Sequence, residues 1–230
     1  MSLAQQVLGW FGVLQGFALL GVLLYRRHYR RLPLFAMYVG GHNGFNAVYG
    51  LHPTLETYLL LQVVNAALRF GVALELTNRL FGAFPGAAVT ARRLMLVILA
   101  FTAVTAIATA PLDATYTRMH AEVVPRMASA AVWMLTVLAG LVLWYRLPLS
   151  PLPRAILMGL APVLLLSTIG ISLLFGPQAA RVRPWVGYLL PLASLAVTNY
   201  WLRVAWRTAP ESPPVPPPGI APAVAQRIAP

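Results

Sequence analysis

The chain has 230 residues, 59% of them hydrophobic and only 10% charged, with a mean hydropathy of +0.73; a soluble domain carries about 25% charged residues, so an ordinary soluble fold is excluded. The formal charge is +12, there is no cysteine, and all 17 basic residues are arginine. Disulfides, thiolate metal sites and acylated cysteine anchors are therefore excluded, as is a retinal pigment, whose Schiff base needs a lysine amine.

Stretches of about 20 apolar residues cross roughly 30 Å of hydrocarbon as helices, and seven are predicted. The first covers 1–25 and ends at Arg26-Arg27-His28-Tyr29-Arg30-Arg31. That basic cluster follows the apolar run instead of preceding it, so the segment reads as a helix and not as a secretory signal. The second covers 32–51 and the third 55–78, the latter interrupted by Arg69 and Glu75. Four cleaner cores follow at 94–110, 127–145, 155–175 and 184–202. Pro162 and Pro191 inside the last two predict kinks. Beyond Trp206 the chain turns proline-rich, with Pro210, Pro213, Pro214, Pro216, Pro217 and Pro218 in close succession. Such a segment can neither continue a helix nor build a core. The division is a seven-helix transmembrane domain over 1–207 and a disordered proline-rich tail over 208–230. No internal repeat of the kind common in transporters is visible.

Arginines concentrate in cytoplasmic loops. With the amino terminus outside, Arg118, Arg126, Arg181 and Arg183 fall on the outer side and Arg69 in the membrane, which leaves 12 of the 17 on the cytoplasmic side. The predicted orientation is N-terminus outside and C-terminus cytoplasmic. Because the arginines line helix ends instead of one soluble face, the positive charge implies contact with anionic lipid headgroups and not with nucleic acid.

The second and third segments carry the polar residues of interest. Tyr38, His42, Asn46 and Tyr49 recur at i, i+4, i+8 and i+11, one face of a helix. Gly40 and Gly44 form a GxxxG on the opposite face, where a neighbouring backbone could approach. The third segment shows Gln62, Asn65 and Arg69 at i, i+3 and i+7, again one stripe. At a rise of about 1.5 Å per residue, His42 and Arg69 both fall roughly 14–15 Å from the cytoplasmic boundary, and Asn46 and Asn65 both roughly 20 Å. Two antiparallel neighbours joined around His52-Pro53-Thr54 would bring these stripes together. The candidate ligand-binding residues are therefore Tyr38, His42, Asn46, Gln62, Asn65 and Arg69.

An arginine at mid-membrane costs about 2.5–3.5 kcal/mol on insertion scales and marks a functional candidate. Glu75 lies six residues further along the same helix on another face, and Glu56, Asp113, Glu122 and Glu211 fall at or beyond the boundaries. Arg69 is thus expected to be met by neutral groups or by an anion from outside the chain, a small molecule or a lipid. Two readings stay open. In one, Arg69 snorkels and the stripe is a set of interhelical hydrogen bonds, each contributing about 0.6 kcal/mol. In the other it holds a ligand, which is favoured by the tilt of side chains toward the helix N-terminus, away from the nearer interface.

Catalysis has few parts to draw on. Ser167, Thr168 and Ser172 have no carboxylate companion, and hydroxyls in membrane helices usually bond to their own backbone. No pair of acids offers a metal site. A bis-histidine haem needs a second histidine at depth, whereas His28, His52 and His120 lie near or outside the boundaries. No cofactor, metal or catalytic residue is predicted.

At Arg26-Arg27-His28-Tyr29-Arg30-Arg31-Leu32-Pro33-Leu34-Phe35, with Tyr38 following and Arg69, Glu75 and Arg79 on the third segment, the first 95 or so residues resemble a group of uncharacterised bacterial multi-pass membrane proteins. Those proteins show a basic cluster running into a YRRxPLFxxY pattern and a glutamate late in a following helix. The resemblance implies about seven membrane helices and no established activity. The resulting expectation is an all-α seven-helix bundle in a bacterial inner membrane, acting without catalysis as a small-ligand-binding or accessory subunit with membrane-protein partners. A transporter for a small anionic or amphipathic solute is the alternative.

Overall fold

Every described element of the computed structural model is helical. The structure describes residues 3–52, 54–80, 131–140, 142–143, 150–174 and 179–208, with single helical positions at 89, 93, 96, 97, 100 and 104. In chain order these are α1 (Leu3–Tyr25), a 3-10 turn (His28–Arg30), α2 (Pro33–Leu51) and α3 (Leu55–Leu80), α4 (Ala131–Gly140), α5 (Pro151–Leu174) and α6 (Ala179–Arg207). Three stretches, Leu3–Tyr25, Leu60–Arg79 and Pro151–Gly170, are long and apolar enough to cross a membrane. Of the predicted segment 94–110 only positions 96, 97, 100 and 104 are described, and tail residues 209–230 lie outside the described residues.

α1 packs between α2 and α6, α2 lies against α3, and α5 lies against α6. One apolar core joins them, with Leu19 and Leu23 of α1, Phe35 of α2, Val72 and Leu76 of α3, Leu135 and Leu138 of α4, and Ile156, Leu157 and Leu160 of α5 all almost fully buried. Outward positions are also apolar, among them Phe11, Leu14 and Phe17 of α1 and Leu189 and Leu192 of α6. Apolar residues on both faces are what a helix needs when its outer surface meets lipid instead of water. α5 and α6 each run on through their internal prolines, Pro162 in the first and Pro184 and Pro191 in the second.

The ends of the helices are fixed by polar contacts. Arg27 adopts a left-handed conformation (φ 59°) and turns the chain out of α1. The buried His28 then donates its Nε2–H to the Ala205 carbonyl (3.0 Å), satisfying an orphan acceptor in the last turn of α6. Beside it Arg26 lies over the Trp206 ring, 5.0 Å from the centroid, and Tyr25 stacks on the same ring at 6.4 Å. On the exposed side of the turn, Arg30 Nε donates to the Tyr29 hydroxyl (3.4 Å), and this contact holds the phenol below its ordinary value. At the opposite end of the molecule Thr54 caps α3, its Oγ1 accepting from the Thr57 amide (3.2 Å).

The expected GxxxG packing is not what this fold uses. Among the described residues, Gly40 meets only the Leu20 side chain of α1 at 3.4 Å, and nothing lies within 4 Å of a Cβ added to Gly44. The close approach on α2 is at Gly41 instead, where Leu68 of α3 comes within 2.9 Å of an added Cβ. The reason is geometric: α3 lies along the Gly41 side of α2, so the glycine that faces it sets the spacing.

Candidate site at the polar face of helix α2

The first turn of α2 determines how everything above it is aligned. Leu32 at the N-cap has no side-chain cap and Pro33 follows at the first helical position, so the amides of Leu34 and Phe35 have no partner within the helix. Glu75 of α3 supplies both acceptors: Leu34 N–H donates to Oε1 (3.3 Å) and Phe35 N–H to Oε2 (3.0 Å). A carboxyl group at a helix N-terminus is also favoured by the helix dipole. The Pro33-Leu34-Phe35 run and the late glutamate, two separate elements of the sequence pattern, are one contact in space.

This contact sets the register of α2 against α3. Counting residues from the helix ends pairs His42 with Arg69 and Asn46 with Asn65, because it treats the end of α3 as level with the start of α2. That count also sets Glu75 level with Phe35, as the contact does, yet His42 bonds Asn65, four residues before Arg69. His42 Nδ1–H donates to Asn65 Oδ1 (3.2 Å), and Asn46 Nδ2 donates to His42 Nε2 (3.0 Å). The Tyr38 ring stacks on the imidazole with centroids 5.6 Å apart and planes 20° from parallel. With one ring nitrogen donating and the other accepting, the arrangement fits the neutral Nδ1–H imidazole.

Arg69 is half-buried beyond this chain. Its charge acts on His42, while its buried Nε has no hydrogen-bond partner among the described residues. Gln62 is half-buried on the same helix. The two polar stripes therefore do meet, through the hydrogen bond of His42 to Asn65.

On its other side α2 borders a cavity of about 590 Å³ enclosed by α1, α2, α5 and α6. Tyr38, His42, Asn46 and Tyr49 line it from α2, Gln5, Gln6 and Trp10 from α1, Leu160 and Val163 from α5, and Pro191, Ser194, Thr198 and Trp201 from α6. Asn65, Gln62 and Arg69 do not border it. Trp201 is held in place by its Nε1–H, which donates to the Ala155 carbonyl (2.9 Å), and by edge-on packing against Phe35 at 5.3 Å.

Sequence reasoning missed Asn43. It is buried, lines the cavity and donates to the Val39 carbonyl (2.7 Å). Its amide rests directly on Gly16 of α1, where an added Cβ would overlap it. The available signal was the glycine spacing of α1, with Gly9, Gly12 and Gly16 all among the lining residues. Among the described residues no three histidine, aspartate or glutamate side chains gather as metal ligands.

No family model matches the chain, and no curated protein or solved structure is significantly similar to it. The functional reading rests on the site itself.

Proposed function

We propose that the chain is a multi-pass bacterial inner-membrane protein of seven helices, amino terminus outside and carboxyl terminus cytoplasmic. In this reading it binds a small ligand in the cavity between α1, α2, α5 and α6, without catalysis, as a ligand-binding or accessory subunit of a membrane assembly. The observation that carries the reading is the 590 Å³ cavity with the polar face of α2 along one wall. Its volume lies within the roughly 300–1,000 Å³ of small-molecule sites, and a few polar groups among apolar and aromatic walls is the composition such sites have. The orientation is supported by the 12 to 4 arginine split. Tyr25, Arg26 and Trp206 at one end of α1 and α6 suit a membrane interface, where amphipathic aromatic and arginine side chains anchor helices.

The test is native mass spectrometry of the whole chain after mild solubilisation, together with a reporter fused to the carboxyl terminus. A discrete small molecule at stoichiometric occupancy, lost when Gly12→Trp fills the cavity, is the expected result. An empty cavity in the wild type, or an unchanged complement in the filled variant, overturns the binding role; a periplasmic reporter overturns the orientation. Solute flux in sealed vesicles would assign a transporter instead, although α6 continues unbroken past Pro191, whereas transporter sites are typically built on discontinuous helices.

A further inference from the structure

We infer that the ligand of this cavity is neutral: a membrane-soluble lipid with a flat, carbonyl-bearing ring of the quinone type, whose head is held by the Tyr38 hydroxyl. The inference deepens the binding role proposed above and rests on it.

The first ground is charge. None of the described residues that line the cavity is aspartate, glutamate, lysine or arginine, and both nitrogens of His42 are engaged by neighbouring amides in the neutral form. An ionic ligand would have to leave water or headgroups for a low-dielectric space with no counter-charge among the described lining residues, which is strongly unfavourable. Arg69, the one cation at this depth on α3, lies behind the His42–Asn65 bond and does not border the cavity. The sequence-based expectation of an anion thus gives way at this cavity to a neutral occupant.

The second ground is which polar atoms are left over. Asn43 is engaged with Val39, and Gln5 and Tyr49 have partners of their own. Tyr38 is only 7% exposed and lines the cavity, yet among the described residues its hydroxyl makes no hydrogen bond. Asn46 uses one amide hydrogen on His42, leaving a second N–H and its carbonyl oxygen. Thr198 of α6 adds a further hydroxyl at the wall. A ligand carbonyl in the cavity that Tyr38 lines would give this hydroxyl a partner. Hydroxyls and amides recognise carbonyl and hydroxyl oxygens, whereas an anion selects arginine or lysine.

The third ground is shape. Trp10, Trp201 and Tyr38 give the space aromatic walls, and such surfaces pack well against a planar ring. Apolar residues from all four helices, among them Leu19, Leu160, Val163 and Leu195, complete a lining suited to a hydrocarbon tail.

The experiment uses the full chain in nanodiscs of neutral lipid, read by quenching of tryptophan fluorescence. The probes are a short-chain ubiquinone analogue and, separately, phosphatidylglycerol. The expected result is saturable quenching by the quinone, weakened about 5- to 10-fold in Tyr38→Phe, which removes one hydrogen bond and keeps the ring. Thr198→Val serves as a second variant should the first fold poorly, and Arg69→Gln should leave quinone binding unchanged. Quinone binding that is indifferent to both Tyr38→Phe and Thr198→Val overturns the inference. So does tight binding of phosphatidylglycerol that is lost in Arg69→Gln, which would keep the ligand-binding role but make the ligand anionic. Absence of binding by either probe, with some other molecule copurifying, likewise overturns the ligand class and leaves the role standing. A protein that binds nothing and copurifies with nothing overturns both.

Discussion

The two sides of α2 carry similar polar side chains and use them differently. Toward α3 the polar groups are consumed: Glu75 takes both amides at the start of α2 and Asn65 takes the His42 Nδ1–H. Toward α1 and α6 the same helix borders open space, with the Tyr38 hydroxyl and part of the Asn46 amide left over among the described residues. A polar stripe in a membrane helix is therefore not one kind of object. On one side it fixes register, and on the other it furnishes a wall to which something else can bind.

If the α3 side is structural, its removal should produce the largest loss of stability in the molecule. Glu75→Ala strands the Leu34 and Phe35 amides and should lower stability by about 2–3 kcal/mol, the scale for buried hydrogen bonds to a carboxylate at a helix start. Glu75→Gln, which keeps a single acceptor, should fall between wild type and Ala. Thermal unfolding in detergent checks this, and equal melting temperatures for all three proteins would show that α2 is not held at Glu75.

The next effect falls on the cavity wall where Asn43 of α2 rests on Gly16 of α1. The Asn43 amide occupies the space a Cβ at Gly16 would need, so Gly16→Ala must push Asn43 or α1 aside. Overpacking of this kind costs about 1–3 kcal/mol. Gly12→Ala, whose added Cβ would meet Leu195 at an ordinary 3.8 Å, should be tolerated. Equal behaviour of the two variants would mean that α1 and α2 are further apart than described.

The contrast can be sharpened with a pair of smaller changes. Asn65→Ala leaves the His42 Nδ1–H without its acceptor and should cost about 0.6–1.7 kcal/mol, the range for hydrogen bonds between membrane helices. Thr198→Ala on the cavity wall removes a hydroxyl that makes no hydrogen bond among the described residues and should leave the ligand-free protein as stable as before. A loss of stability in the second variant, measured after the same ligand-stripping wash, would show that the cavity wall is structural too.

What could be read from the sequence follows from which features are periodic. The α2 stripe was legible because Tyr38, His42 and Asn46 recur at the helical repeat, and the ranges of α1, α2 and α3 because charge and proline bound their apolar runs. The pairing of the stripes was not: counting from the helix ends sets Glu75 level with Phe35, as found, but does not say which of Asn65 and Arg69 meets His42. The Glu75 contact was hidden as well, because a backbone N–H has no side-chain signature at positions 34 and 35. Glu75 consequently read as an acid on the wrong face for Arg69, when its partner was on another helix altogether. The cavity was equally illegible, because it is a space left among four helices and its depth depends on residues as plain as Gly16. Trp201, held by a carbonyl of α5, had no polar periodicity to announce it.

The smallest expected effect concerns Gly44, where the two sides of α2 can be told from a third. Among the described residues nothing lies within 4 Å of a Cβ added there, so their packing does not require the small residue. Alanine exceeds glycine in helix propensity by about 1 kcal/mol in a helix interior, so Gly44→Ala should be neutral or stabilise the protein by up to about that amount. Gly41→Ala, against Leu68 of α3, should be destabilising in the same assay. Both variants should be compared by thermal unfolding and by size on a detergent column at two protein concentrations. A Gly44→Ala protein that is less stable, or that runs at a smaller size than wild type, would mean that a backbone from another molecule approaches this face. The division of α2 into a packed side and an open side would then need a third, intermolecular side.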